Sequence, residues 1–451
     1  MPRARRAGGH LVSPSDHQAP QATDPGTSGS TGATAADEAR NRLFGVGLVD
    51  DVYPTYAALR HGEGVHPGSI ESHFSAPPLY TDEVQYATYT RNASIDVLRR
   101  ADDFSSCSYE GNLDLFIGPS VIGMDEPEHR RMRNLLQGAF SKREMAWWET
   151  DIIQPVVDHH LSQIAPLGRA DLYRDVANKV PVHTIVSALG LPEADREWFF
   201  DQAVLMTSAA APPEERLAAA AAVDEYAAPL IADRRTHPRR DLLSVLVHAG
   251  VDNPDDEAGQ PGNEPADRRP LDDEEIRTFV KLLVIAGAGT TFRAYGNLMW
   301  ALLSHPDQYA AVVADRSLVE PAIEESLRFE QPLTFVSRIA TDDTTIGTAV
   351  IPKGCPVHVS IGSANRDASE WDDPDRFDIH RSRPERHLTF GWGSHRCLGV
   401  HLARAELKVL LNRTMDFLPN LRLDPEVDRP RPEGVGFRMV SPLWVVFDPQ
   451  R

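Results

Sequence analysis

The sequence predicts a mostly helical protein with small β-sheet regions, crossed by one long central helix. Three observations predict it. Apolar residues three and four apart dominate the chain, the spacing that places them on one face of a helix. Strand-like segments are few: VQYATYT near 84–90, and TFVSRIATDDTTIGTAVIPKGCPVHVSI from 334 to 361. One helical pattern, from about Asp272 to Ser304, outruns the rest; at 1.5 Å per residue it spans roughly 50 Å, enough to cross a whole domain.

Along the chain, MPRARRAGGH is basic like a signal peptide, but no apolar core follows it. The next residues are Ser, Thr, Gly, Pro, Ala and Gln, which bury too little to order themselves, so residues 1–40 are expected to be a disordered tail. DDVYPTYAALR, NASIDVLRRADDF and DEPEHRRMRNLLQGAF each pair an acidic or Asn start with helical spacing. The stretch 107–123 has no clear period and reads as a loop. A long helical stretch is expected from near Asp171 until Gly190 and Pro192 close it. SAAAPPEER, near residue 212, reads as a Pro-containing hinge between helices, and 251–270 as an exposed loop. No internal repeat is visible.

With 41% apolar residues the chain can bury a large core and a cofactor pocket. Forty-six basic residues against 66 acidic ones leave a net charge of −20, which speaks against nucleic acid as a partner. No run of 18 apolar residues occurs, so no membrane anchor is expected. The three cysteines, Cys107, Cys355 and Cys397, lack CxxC spacing, which argues against a disulfide framework, a zinc site or an iron–sulphur cluster. They suit a reducing compartment, and a cytoplasmic monomer is expected.

The string FGWGSHRCLG, residues 390–399, brackets Cys397 with Gly391, Gly393 and Gly399 just before an amphipathic helix. Glycine lets a backbone take positive φ and pass close to a flat object. Such a loop can lift out a thiolate, with Phe390 offering a ring and His395 a polar edge; the set suits a haem iron with one axial thiolate. The plainer reading of a lone Cys is a buried free thiol in a Gly-rich turn. The fixed offsets of Phe, Gly, Cys and Gly before a helix favour the haem. On the long helix, AGAGTT (286–291) sets two glycines where each costs about 1 kcal/mol relative to Ala. Small residues let a planar cofactor and a diatomic ligand near the backbone, and Thr290 can turn its hydroxyl to the carbonyl of Ala286. Close packing between helices is the alternative use of such residues.

FGWGSHRCLG resembles the signature F-x-x-G-x-H/R-x-C-x-G of the cytochrome P-450 superfamily, and AGAGTT resembles its dioxygen-activating A-G-x-D/E-T-T/S. The resemblance implies the cytochrome P-450 fold, with residues 41–451 as a single large domain whose central helix lies over haem b. It implies Cys397 as the metal ligand, and Phe390, Ala286 and His395 beside the haem. His129 and Arg133 in HRRMR, one turn apart, read on their own as a solvated basic face; with Arg338, the resemblance implies that they reach the haem propionates. Glu325 and Arg328 in EESLR match the family's E-x-x-R, with Arg376 of WDDPDRF the implied third member. One position departs: Gly289 stands where the family carries an acid that helps deliver protons. Thr290 stays in register.

The implied activity is insertion of one oxygen atom of dioxygen into a lipophilic small molecule. Leu283, Ala286, Thr290, Phe335 and Val336 are the expected substrate contacts, and Leu113, Leu115, Phe116 and Ile117 suggest an apolar pocket. The 107–120 loop and the hinge near 208–213 are the expected lids. Neither a flavin nor an iron–sulphur segment is fused, so a separate ferredoxin and its reductase are implied. Arg130, Arg131, Lys142, Arg143 and Arg396 would form a basic docking patch for an acidic donor. Two alternatives remain: a peroxide-driven oxygenase or haem-thiolate isomerase or reductase, in which Gly289 needs no acid, and a non-enzymatic haem or ligand-binding protein, which has no use for Thr290.

Overall fold

The computed structural model describes residues 49, 51–74, 84–109, 113–140, 142–207, 211–250 and 269–450. The expected tail, all but the end of the 251–270 loop, and part of the hinge at 208–213 lie outside the described residues. The helices that build the site are α1 (Glu128–Gln137), α2 (Val180–Ala188), α3 (Arg196–Thr207), α4 (Pro213–Thr236), α5 (Asp273–Leu282), α6 (Ala288–Ser304), α7 (Val319–Phe329) and α8 (Val400–Phe417).

The central helix differs from the regular one expected: α5 and α6 are joined by a wide π-type turn, Leu283–Gly287. It begins with a capping box, in which the Asp272 side chain accepts from the Glu275 N–H while the Glu275 carboxylate accepts from the Asp272 N–H. The wide turn coincides with the Ala/Gly run. A Cβ at Gly287 would lie 2.7 Å from Ile185 Cδ1, so the glycine is what lets α2 press against the turn. Long α4 crosses α3 and α5, and Lys281 Nζ reaches Asp224 Oδ2 at 2.7 Å to hold α4 to the central helix. Helix α8 packs on α6, α7 and the helix Gln154–Ile164. One apolar core runs through all of these elements.

A five-stranded sheet flanks this body. With β1 (Val65–Pro67), β2 (Tyr86–Thr88), β3 (Phe104–Ser105), β4 (Phe335–Ala340) and β5 (Pro356–Ser360), its order is β1-β2-β5-β4-β3, and only β2 and β5 run parallel. A second sheet joins Arg169–Asp171, Trp444–Val446 and Arg422–Leu423. Its strands are too short to show alternation in sequence. The long helix expected from Asp171 is instead the end of one of these strands, a π turn (Tyr173–Ala177) and α2. Pro181 sits in the first turn of α2, where its missing N–H does no harm.

Two buried histidines join α2 to Gln154–Ile164, with His160 Nε2 2.9 Å from His183 Nδ1. Burial first, then neighbouring positive charge, pushes His160 down to about 3 and His183 down to about 4. Unfolded histidine takes a proton near pH 6.5. The unfolded chain therefore binds more protons than the native one between about pH 6.5 and 4, and stability falls as pH falls through that window, by about 1.4 kcal/mol per unit for each proton. The melting temperature is expected to drop from pH 7 to pH 5, and to drop less in His183→Asn; equal drops would remove this pair as a cause.

Candidate active site

The Cys397 loop is closed by its own backbone. Cys397 N–H donates to Phe390 O at 2.8 Å, Gly391 N–H to Leu388 O at 2.7 Å, and Arg396 N–H to Gly393 O at 3.1 Å. Gly391 and Gly393 take φ of +70° and +75°. A Cβ at Gly393 would run into the carbonyl of Leu98, so the loop rests directly on the helix Arg91–Arg99. Phe390 is half-buried, with the Arg404 guanidinium 5.0 Å from its ring centroid. Arg404 in turn grips Glu324 of α7 through two 2.6 Å hydrogen bonds, and with His387 this holds the Glu324 carboxyl down at about 2 against the effect of burial.

Cys397 is the exposed one of the three cysteines. It opens toward the site while surrounding protein pushes its thiol up; the Gly399 N–H, Arg133, Arg396 and Arg404 pull the other way. Beside it lies a cluster of cations. His129, buried on α1, stacks on His395 with ring centroids 3.8 Å apart. His129 Nδ1 meets Glu126 Oε1 at 3.2 Å, while its Nε2 is buried with no hydrogen-bond partner among the described residues. Burial, then His129, Arg338 and Arg133, drives His395 down to about 3. Arg338 on β4 is buried, donating to Ser337 O at 2.8 Å and bonding Tyr109. Half-buried Arg133 also has its pKa lowered by burial. Two arginines and two histidines that penalise one another, with one buried ring nitrogen orphaned, fit a group bearing two carboxylates. The haem meets that requirement, so the residues present fit it.

Thr290 Oγ1 donates to Ala286 O at 2.9 Å, bridging the end of the wide turn to α6. Gly289 O accepts from Arg293 Nη1, a residue the sequence reading passed over, and Arg293 is sandwiched between Phe292 and Phe437. Leu283 and Ala286 line the same helix.

Several expectations are corrected. Arg376 is not the side chain on Glu325: it is exposed and bonds Asp378, giving only its carbonyl to Arg328 and Arg381. Arg381 takes that place, with Nε at 3.1 and 3.2 Å from the two Glu325 oxygens. Glu325 and Arg328 themselves are fully buried, Arg328 Nε to Oε2 at 2.7 Å and Nη2 to Oε1 at 2.8 Å. Phe335 turns into a satellite core with Tyr53, Tyr56, Tyr89 and Val435, while Val336 packs against the other side with Val357 and Val359. Adjacent strand residues face opposite ways, so the two could not share a pocket. Leu115 is 61% exposed, although Leu113, Phe116 and Ile117 join the main core. In the basic patch, Arg131 is buried and tied to Glu128 and Glu275. Arg130 and Arg396 are exposed, and the side chains of Lys142 and Arg143 lie outside the described residues.

A central helix with a wide turn over a Cys loop and a cluster of carboxylate-seeking cations defines a haem-thiolate enzyme. The Cytochrome P450 family model matches residues 213–441. The chain is 32% identical over 403 residues to the "Biotin biosynthesis cytochrome P450" of Bacillus subtilis, covering 88% of this chain and 96% of that one. It is 37% identical over 312 residues to the "Vitamin D3 dihydroxylase" of Streptomyces griseolus, covering 69% and 72%. The crystal structure of CYP109E1 from Bacillus megaterium with testosterone superposes with a TM-score of 0.75 at 27% identity, covering 88% of this chain and 99% of that one. The chain belongs to the cytochrome P450 family. It is a haem-dependent monooxygenase. Among the described residues no helix is long and apolar enough to cross a membrane.

Proposed function

We propose that Cys397 is the axial thiolate of a monooxygenase that takes a lipophilic small molecule and draws electrons from a separate ferredoxin-type donor. One observation carries the reading: the exposed thiol stands beside four cationic side chains, His129, Arg133, Arg338 and His395, of which Arg133 makes no ion pair among the described residues. His129, Arg133, Arg338 and His395 would hold the propionates. The bound haem would supply oxygen activation and transfer of one oxygen atom to a C–H or C=C bond. The chain's own residues orient the substrate, exclude water and manage protons. Leu283 and Ala286 offer it an apolar wall, and Thr290 holds its hydroxyl proton on Ala286 O, from which it can turn into the site. Exposed Arg130 and Arg396 on a chain of net charge −20 suit an acidic donor docking near the Cys loop. The relatives' names support a lipophilic substrate, since one dihydroxylates vitamin D3 and a similar structure holds testosterone.

The test is a library of steroids, fatty acids, terpenoids and polyketides scanned for the Soret shift that substrate binding causes. Hits are then turned over with ferredoxin and reductase, and separately with peroxide. Product only with peroxide would replace the donor-driven reading with the peroxide-driven one.

Thr290→Ala is expected to lower product per NADH and raise hydrogen peroxide, because it removes the hydroxyl nearest the wide turn. Gly289→Asp is expected to raise product per NADH. A Cβ there lies 3.4 Å from Arg293 Nη1, ordinary contact, and the new carboxylate would find that guanidinium beside it. Tight coupling that ignores Thr290→Ala would remove Thr290 from proton handling.

A further inference from the structure

Glu406 is a buried acid that the site as described does not use. It stands on α8 about two and a half turns beyond Cys397, between Ala405 and Leu407, and is 2% exposed. Its neighbours come from both walls of the wide turn. Thr291, the residue after Thr290, is buried on α6, and Thr184 is buried on α2 next to Ile185, the side chain that presses on Gly287. Burial pushes Glu406 up to about 8, and the hydroxyls of Thr184 and Thr291 are the groups that pull it back. Glu406 therefore holds its proton at neutral pH.

No charge is committed to it. On α8 itself, Arg404 binds Glu324, Lys408 meets Glu149 and Arg413 binds Asp158. From the helices packed alongside, His160 and His183 pair with each other. Glu406 Oε1 and Thr184 Oγ1 have no hydrogen-bond partner among the described residues. Buried polar atoms of this kind are ordinarily joined by ordered water, which gives a proton a path between them. An apolar residue would fill this position on α8 at less cost to stability. The acid stands behind the one turn of the central helix where the family's usual carboxylate is replaced by Gly289.

We propose that Glu406 supplies the proton for oxygen activation in this chain, passing it by way of Thr291 and the wide turn to the Thr290 hydroxyl, in the role left open at Gly289. The inference rests on the monooxygenase reading. In each cycle Glu406 gives up one proton and becomes the anion. Each hydroxyl or water along the way takes one proton and releases one, and a proton from solvent restores the acid. Glu406 acts through Thr290 and does not touch the substrate.

The experiment compares wild-type holoenzyme with E406Q, which keeps the shape and removes the titration. Infrared spectra in light and heavy water should show the carbonyl stretch of an undissociated carboxylic acid at pH 7 in wild type and lose it in E406Q. With a compound taken from the Soret screen, E406Q should give several-fold less product per NADH and correspondingly more hydrogen peroxide. Its peroxide-driven turnover and substrate-induced Soret shift should be unchanged. The double variant Gly289→Asp with Glu406→Gln should regain the lost product. Equal coupling in wild type and E406Q, or no such infrared band, overturns the proposal. Should E406Q not retain haem, Thr291→Val read in the same way decides it. Wild-type holoenzyme that forms no product with the ferredoxin-type donor would overturn the monooxygenase reading, while the infrared band would still report on Glu406.

Discussion

Cys397→Ser is expected to abolish the ~450 nm band of the reduced carbonyl complex, since that band requires a thiolate opposite carbon monoxide. Cys107→Ser and Cys355→Ser are expected to keep it. The geometry separates the three. Cys355 is buried, with its Sγ on Val84 O at 2.9 Å, and Cys107 lies in a short 3-10 turn beside β3. Only Cys397 opens onto the site, with the Gly399 N–H bonded to its sulphur. A surviving band in Cys397→Ser would mean that another residue binds the iron.

The second large effect is on assembly. Arg328 has no exposed surface and spends all its donors: two on Glu325, and the rest on the carbonyls of Asn365, Pro374 and Arg376. Glu325 is held in turn by Arg381 and by the Asp378 N–H. Removing one side of such a buried pair strands the other charge and costs about 3–5 kcal/mol. That is a large share of the about 5–15 kcal/mol by which folded proteins are stable. Arg328→Ala is expected to yield apoprotein or aggregate, and Arg381→Ala a milder version of the same. Arg376→Ala should cost little, because its side chain reaches only Asp378 at the surface. Full haem loading and an unchanged melting temperature in Arg328→Ala would show that the pair holds nothing together.

The parts of this site that were legible in sequence are those set by short, fixed spacings. Three residues separate Glu325 from Arg328 and four separate Ala286 from Thr290, so helical geometry alone brings each pair together. Glycines flank Cys397 where the loop needs positive φ. What escaped depends on how distant segments meet. Arg376 and Arg381 both follow α7 in an irregular stretch, and no local pattern tells which side chain turns back to Glu325. Strand period would have shown that Phe335 and Val336 face apart, a signal available and not used. Glu406 had a fainter one: an acid between Ala405 and Leu407 on a face of α8 that is otherwise apolar. The wide turn had none, because Gly and Ala serve a regular helix crossing as well as a π turn.

That turn makes the central helix a matter of counting. A π-type turn holds about one residue more than an α-helical turn of the same rise, and one residue is about 100° of rotation. Asp273–Leu282 and Ala288–Ser304 are thus phased by the number of residues between them rather than by any single contact. Adding or removing a whole turn from the α5 end would leave Thr290 aimed as it is, provided the wide turn stayed. Losing a single residue such as Val284 would restore a regular helix and swing one half against the other, turning the first half's apolar face off the core or Thr290 off the site. Chains of this kind should therefore vary freely in the length of the helix's leading arm, yet tolerate no one-residue gap between Leu283 and Gly287.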